Sequence, residues 1–201
     1  MIRVLLAEDQ DMVRGALAAL LTLEADIEVV AEVGRGDQVL ATALETRPEV
    51  ALLDIEMPGA DGISVAAALR QDLPGCRVLM LTTFGRPGYL RRAMAAGASG
   101  FMLKDAPAAE LAVAVRRTAA GERVLDPELA AQALEAGDSP LSVRETEVLA
   151  AAADGSGLAD VARRLFLSEG TVRNHLSAAI QKLDARNRME AILIAREKGW
   201  M

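Results

Sequence analysis

Five short runs rich in Leu and β-branched residues recur through the first 121 residues, and segments of helical periodicity separate them. The runs are IRVLLAE (2–8), IEVVAEV (27–33), VALLDI (50–55), RVLMLTT (77–83) and GFMLK (100–104). Short apolar runs of this kind read as buried strands. In the first helical segment Val13, Leu17, Leu20 and Leu21 fall on one face. In the last, Leu111, Val115 and Thr118 do so after Pro107, a residue suited to a first helical turn. Five strands alternating with five helices predict an α/β unit, a doubly wound five-stranded parallel sheet covered on both faces.

The pattern then changes. Residues 119–140, AAGERVLDPELAAQALEAGDSP, have glycine near both ends and a helix start at Asp126-Pro127-Glu128, so they read as a linker with one short helix. From 141 onward strand signals cease. Ser142 and Glu145 form a capping box that opens a helix to about Asp154, and Gly155 and Gly157 break it. A second helix covers about 158–165, FLS (166–168) turns the chain, and a longer helix runs from about 169 to 183. Asn187 and Glu190 open a last one toward Lys198. Four helices with a three-residue turn in the middle predict a helix-turn-helix domain. The expected division is 1–120, a linker at 121–138, and 139–201.

Aromatic residues are only 2% of the chain, so both cores must be built from aliphatic side chains. The lone Cys76 excludes an internal disulfide framework and suits a reducing cytosol, where it serves as a small semi-buried residue. The N-terminus turns acidic within a few residues, unlike a signal peptide, and no apolar stretch is long enough for a membrane span. A cytoplasmic location without membrane insertion is expected. The net charge is −7, yet residues 163–188 carry six basic and two acidic side chains, a local +4. Local charge is what a phosphate backbone senses.

In a doubly wound sheet, chemistry gathers at the carboxyl ends of the strands. Glu8 and Asp9 follow the first strand, Asp54 ends the third, Thr82 and Thr83 the fourth, and Lys104 the fifth. Clustered carboxylates repel one another and call for a hard counter-ion with oxygen ligands, most simply Mg²⁺. Such a site suits phosphoryl chemistry: Asp54 as a carboxylate nucleophile, Lys104 neutralising charge on phosphoryl oxygens, and Thr82 donating its hydroxyl to one of them.

LLAEDQ, LLDIEMPGADG, VLMLTTF and GASGFMLKD resemble the receiver domain of bacterial two-component response regulators, with its flavodoxin-like fold. The resemblance covers essentially residues 1–120. It implies that Asp54 accepts phosphate from a sensor histidine kinase. It also implies that Glu8, Asp9, Asp54 and the backbone carbonyl of Glu56 hold Mg²⁺, and that Thr82 and Lys104 sense the phosphoryl group. Phe101 matches an aromatic switch position where many receivers carry Tyr, so switching there must act through packing. Asp105 replaces the proline that often follows the lysine. Glu56 and Phe84 flank the site and are expected to help set the phosphoryl lifetime.

In the long C-terminal helix, Val172, Leu176, Ile180 and Leu183 mark the inward face. Asn174, Ser177 and Gln181 point away, with Thr171 and Arg173 on the flanks. Arg suits guanine edges or phosphate, and Asn suits adenine edges. Arg163, Arg164, Lys182, Arg186 and Arg188 offer further phosphate contacts. His175, the only histidine, is expected to pack beside the core, as is Trp200. LSVRETEVLAAAADG and DVARRLFLSEGTVRNHLSAAIQKLDARNRMEAI resemble the LuxR-type helix-turn-helix of the NarL/FixJ subfamily. By position this implies base-facing roles for Arg173, Asn174 and Ser177, and backbone contacts for Thr171 and Lys182. Ser177 departs from relatives that carry Lys there.

Together the resemblances imply a transcription factor, not an enzyme. Its partners would be a kinase, double-stranded DNA, a second copy of the chain on phosphorylation, and RNA polymerase. A narrower likeness in AEDQ, DIEMPG, LTTFGRPGYL, GTVRN and REKGW is to regulators of thermosensing lipid-desaturase systems, which implies membrane-lipid genes as targets. Two rivals are a phosphatase working through an aspartyl-phosphate, suggested by Asp54-Ile55-Glu56, and a receiver that controls a protein partner without touching DNA. The absence of an evident cap domain or substrate pocket weighs against the phosphatase.

Overall fold

Strands whose central residues are apolar and buried occupy the middle of the sheet. In the computed structural model, which describes residues 1–83, 87–126, 129–131 and 139–201, every residue of β3 (Val50–Asp54) is buried. So are the last four residues of β1 (Ile2–Ala7) and the last five of β4 (Arg77–Thr82). β2 (Ile27–Val33) is more exposed and lies at one edge. β5 (Gly100–Leu103) completes the set expected from the sequence. The intervening helices are α1 (Asp11–Thr22), α2 (Gly36–Thr46), α3 (Gly62–Asp72), α4 (Pro87–Ala96) and α5 (Ala108–Ala119). The pairs are parallel and the order is β2-β1-β3-β4-β5-β6.

A sixth, two-residue strand adds to the expected five. β6 (Val124–Leu125) comes from the segment read as linker and pairs with β5 in the register Gly100↔Val124, Phe101↔Leu125. Two residues carry no detectable alternation, so periodicity cannot find such a strand. Gly100 permits the close approach: a Cβ there would lie 2.9 Å from the Val124 carbonyl oxygen and 2.7 Å from Leu79 Cδ1. Beyond β6, Asp126 acts as the anticipated cap, since its Oδ1 accepts from the Leu129 N–H at 3.2 Å. Pro127 and Glu128 lie outside the described residues, as does Phe84.

One face of the sheet packs Val4, Leu6, Leu52, Leu79 and Leu81 against Leu21 of α1 and Leu111 and Val115 of α5. The alternate residues Leu5, Leu53 and Met80 are also buried, so both faces are covered. Two details differ from expectation. Leu20 is 37% exposed, because Leu17 and Leu21 take the centre of the α1 stripe. Pro107 is the N-cap of α5 rather than part of its first turn.

The chain divides into two compact units that lie mainly within residues 1–130 and 131–201. In the second are α6 (Val143–Ala151), α7 (Leu158–Leu165), α8 (Glu169–Lys182) and α9 (Arg188–Lys198). Ser142 Oγ accepts from the Glu145 N–H while Glu145 Oε2 accepts from the Ser142 N–H at 2.7 Å, the reciprocal cap predicted. α6 stops earlier than expected because Asp154 turns the chain, accepting from the Ser156 N–H at 2.9 Å. Val148, Leu149, Val161, Val172, Leu176 and Ile192 form this unit's core, with Trp200 packed against it.

Gly62 has the tightest structural role near the end of β3. Its N–H donates to the Ile55 carbonyl at 2.9 Å, and a Cβ on it would lie 2.0 Å from the Asp54 carbonyl oxygen. Gly62→Ala is expected to destabilise the first unit by about 2–3 kcal/mol through overpacking, measured by urea unfolding.

Candidate functional site

Register alone brings the polar strand ends together. Ala7 pairs with Leu53 and Thr82 with Leu103, so Glu8 and Asp54 follow side by side and Lys104 follows beside Thr82. Asp54 in turn pairs with Leu81 in β4. The Lys104 N–H donates to the Thr82 carbonyl at 2.8 Å, tying the ends of β4 and β5. Glu8, Asp54 and Thr82 are buried, whereas Asp9 is exposed.

Lys104 Nζ stands between two carboxylates, 2.6 Å from Glu8 Oε2 and 2.9 Å from Asp54 Oδ2. Its side chain is only 8% exposed. The other oxygens are fixed by backbone: the Ile55 N–H donates to Asp54 Oδ1 at 2.7 Å, and the Gln10 N–H to Glu8 Oε1 at 3.2 Å. Burial raises the pKa of Glu8, opposed by the Lys104 hydrogen bond and reinforced by the Asp54 charge. Burial likewise raises that of Asp54, against the pull of Lys104. For Lys104, burial works to lower the pKa, but its hydrogen bonds to Glu8 and Asp54 and their charges outweigh it, so the ammonium is held above its ordinary value.

The counter-ion inferred from the clustered acids is therefore supplied in part by Lys104. A place for a cation remains. One oxygen each from Glu8, Asp9 and Asp54 lie within 4.8 Å of one another, an all-oxygen donor set with one exposed member. That set fits a hard divalent ion such as Mg²⁺.

Two contacts were not anticipated from sequence. Arg14 donates to the Glu8 carbonyl at 2.7 Å and also pairs with Asp11, fixing the loop after β1. The Tyr89 hydroxyl donates to Glu56 Oε1 at 2.7 Å, so the exposed Glu56 side chain is held from α4. Tyr89 is the chain's only tyrosine and follows β4, but neither fact points to Glu56. Phe101 is 1% exposed, within β5 three residues before Lys104.

On α8, Arg173, Asn174, Ser177 and Gln181 are exposed as predicted, while Val172 and Leu176 are buried. Thr171 is half-buried and its Oγ1 lies 2.8 Å from the Oγ of Ser168, whose Oγ also caps the Thr171 N–H. Lys182 is turned to the capping box, 2.8 Å from Glu145 Oε2. That hydrogen bond, with those from Ser142, holds Glu145 below the usual carboxylate range. The other basic candidates are also engaged. Arg163 pairs with Asp160, Arg164 with Asp154 and Arg186 with Glu190, and Arg188 donates to the Ser156 carbonyl. His175 is half-buried, and Cys76 is buried with its thiol pushed up to about 11 by burial. Among the described residues, no helix is long and apolar enough to cross a membrane.

Residues 4–116 match the response regulator receiver domain, and residues 139–195 match the bacterial regulatory proteins of the luxR family. The uncharacterized transcriptional regulatory protein YvfU of Bacillus subtilis is 47% identical, with all of both chains covered. The transcriptional regulatory protein DesR of the same organism is 44% identical over 100% of this chain and 99% of its own. Among solved structures, the response regulator ChrA of a heme-sensing two-component system is 38% identical with a TM-score of 0.59, covering 100% of this chain and 98% of that one. These relatives are transcriptional regulators and not enzymes. The chain belongs to the two-component response regulators that join a receiver domain to a LuxR-type DNA-binding domain.

Proposed function

We propose that a sensor histidine kinase phosphorylates Asp54, and that the phosphorylated receiver pairs with a second copy so that two helix-turn-helix units bind a two-fold DNA site. The observation that carries this reading is the Lys104 ammonium seated against both Asp54 and Glu8. Asp54 is held by the Ile55 N–H on one oxygen and Lys104 on the other, which presents a preoriented carboxylate for attack on phosphorus. A phosphoryl group on Asp54 gives Lys104 a new anionic partner, and Thr82 a charge to approach with its hydroxyl. Either movement alters the ends of β4 and β5, which the Lys104–Thr82 backbone bond joins. Phe101 then follows by repacking.

In this reading Glu8, Asp9, Asp54 and the Glu56 carbonyl hold Mg²⁺, which when bound neutralises charge on phosphoryl oxygens. Glu56 and Phe84 help set how long the phosphoryl group lasts. Residues 1–120 form the receiver, 121–138 the link and 139–201 the DNA-binding part. Arg173, Asn174 and Ser177 meet base edges, and Thr171 and Lys182 meet the backbone; Lys182 must leave Glu145 to do so. RNA polymerase is the downstream partner. Membrane-lipid genes are the targets that the likeness of AEDQ, DIEMPG, LTTFGRPGYL, GTVRN and REKGW to lipid-desaturase regulators supports.

Asp54→Asn removes the nucleophile and is expected to abolish dimerisation and tight DNA binding induced by acetyl phosphate, followed by light scattering and gel shift. Dimerisation of that variant on adding acetyl phosphate would refute the switch. A second outcome concerns Lys104→Met, which leaves Glu8 and Asp54 buried without their cation. Its expected cost is about 3 kcal/mol at neutral pH without metal, measured by urea unfolding. The sign with pH follows from the raised carboxylate pKa values. On acidification Glu8 and Asp54 accept protons while still folded, so the deficit of the variant shrinks below their folded pKa values. Millimolar Mg²⁺ at neutral pH should shrink it too.

A further inference from the structure

Phe166 joins α7 to α8 and is 96% exposed, more than any other large apolar side chain among the described residues. Its backbone is left-handed, with φ 56° and ψ 42°, and its N–H donates to the Ala162 carbonyl to close α7. That conformation favours glycine or asparagine and is strained for a bulky residue. Its neighbours Leu165 and Leu167 both pack against the core of the unit, whereas Phe166 does not. The turn therefore needs this backbone but not this side chain. A phenylalanine here adds strain and leaves apolar surface in water, and the fold gains nothing from either. Such an outlier points to a role outside the unit's own core.

The surroundings indicate what meets it. Phe166 stands at the head of α8, two residues before the Ser168 cap, within the 163–188 segment that carries six basic and two acidic side chains. Arg163, on the last turn of α7, is 78% exposed. In a helix-turn-helix the first helix crosses the DNA backbone and the second enters the major groove by its N-terminal end. The turn between them then faces the wall of the groove. There the non-charged surface on offer is the apolar faces of the deoxyriboses between phosphates.

We propose that Phe166 packs against deoxyriboses at the edge of the major groove, as a sequence-independent anchor beside the base-reading face of α8. This rests on the DNA-binding reading above. It predicts opposite effects on the fold and on binding, which an ordinary structural residue would not give.

The test uses the full-length chain as Phe166→Asn and Phe166→Gly, both suited to the left-handed turn. Duplexes are first selected from a random-sequence pool by the wild-type chain with acetyl phosphate and Mg²⁺. Both variants are expected to melt at or above the wild-type temperature. Both should bind every selected duplex about five- to twentyfold more weakly, from lost burial of one aromatic face. Because no charge is removed, plots of log affinity against log salt should be displaced in parallel. Wild-type affinity in both variants would overturn the proposal, as would a loss confined to some sequences or a changed salt slope. Failure of the wild-type chain to select any duplex would instead sink DNA binding itself, and this proposal with it.

Discussion

One ammonium between two buried carboxylates holds the receiver's functional end together. Lys104 reaches Glu8 at 2.6 Å and Asp54 at 2.9 Å, and the three groups sit on the ends of β5, β1 and β3. Burying a charge costs several kcal/mol unless an opposite charge and hydrogen bonds offset it. The Ile55 and Gln10 N–H groups supply those bonds. The formal charge of the trio is −1, and Asp9 beside it makes −2, which one divalent cation balances. The same arrangement that makes the fold tolerable without metal thus leaves a site that a metal completes.

The position of Lys104 also ties chemistry to architecture. It ends the strand that contains Phe101, and Phe101 stands opposite Leu125 of β6 in the sheet. Asp126, directly after β6, caps the next helical turn. In the proposed switch, β5 and its pairing with β6 are the route by which a change at Lys104 would reach the residues that follow. Rigid strands with close backbone approaches, such as Gly100 against Val124, transmit small shifts because packed interiors do not deform continuously.

The sheet was legible because its strands are nearly pure apolar runs and its helices carry clear periodic faces. The acidic site was legible because four of those runs end at their carboxyl side in a group able to do chemistry, as Glu8, Asp54, Thr82 and Lys104 show. The capping box of Ser142 and Glu145 and the Asn187 cap were visible for a similar reason, since capping chemistry is local. What escaped depends on tertiary partners. β6 is two residues long and exists only because β5 offers a free edge. Tyr89 reaches Glu56 across 33 positions, and Lys182 reaches Glu145 across 37, where the sequence suggested a phosphate contact. Phe166 escaped because an FLS turn reads as punctuation until its exposure and left-handed backbone are seen.

The central claim is that Asp54 itself becomes the phosphorylated residue. Borohydride reduction of the acetyl-phosphate-treated chain converts an aspartyl-phosphate to homoserine, which peptide mass spectrometry locates. Homoserine at position 54 alone, dependent on Mg²⁺, is the result expected. Homoserine at Asp9 or elsewhere, or none despite bound phosphate, would contradict it.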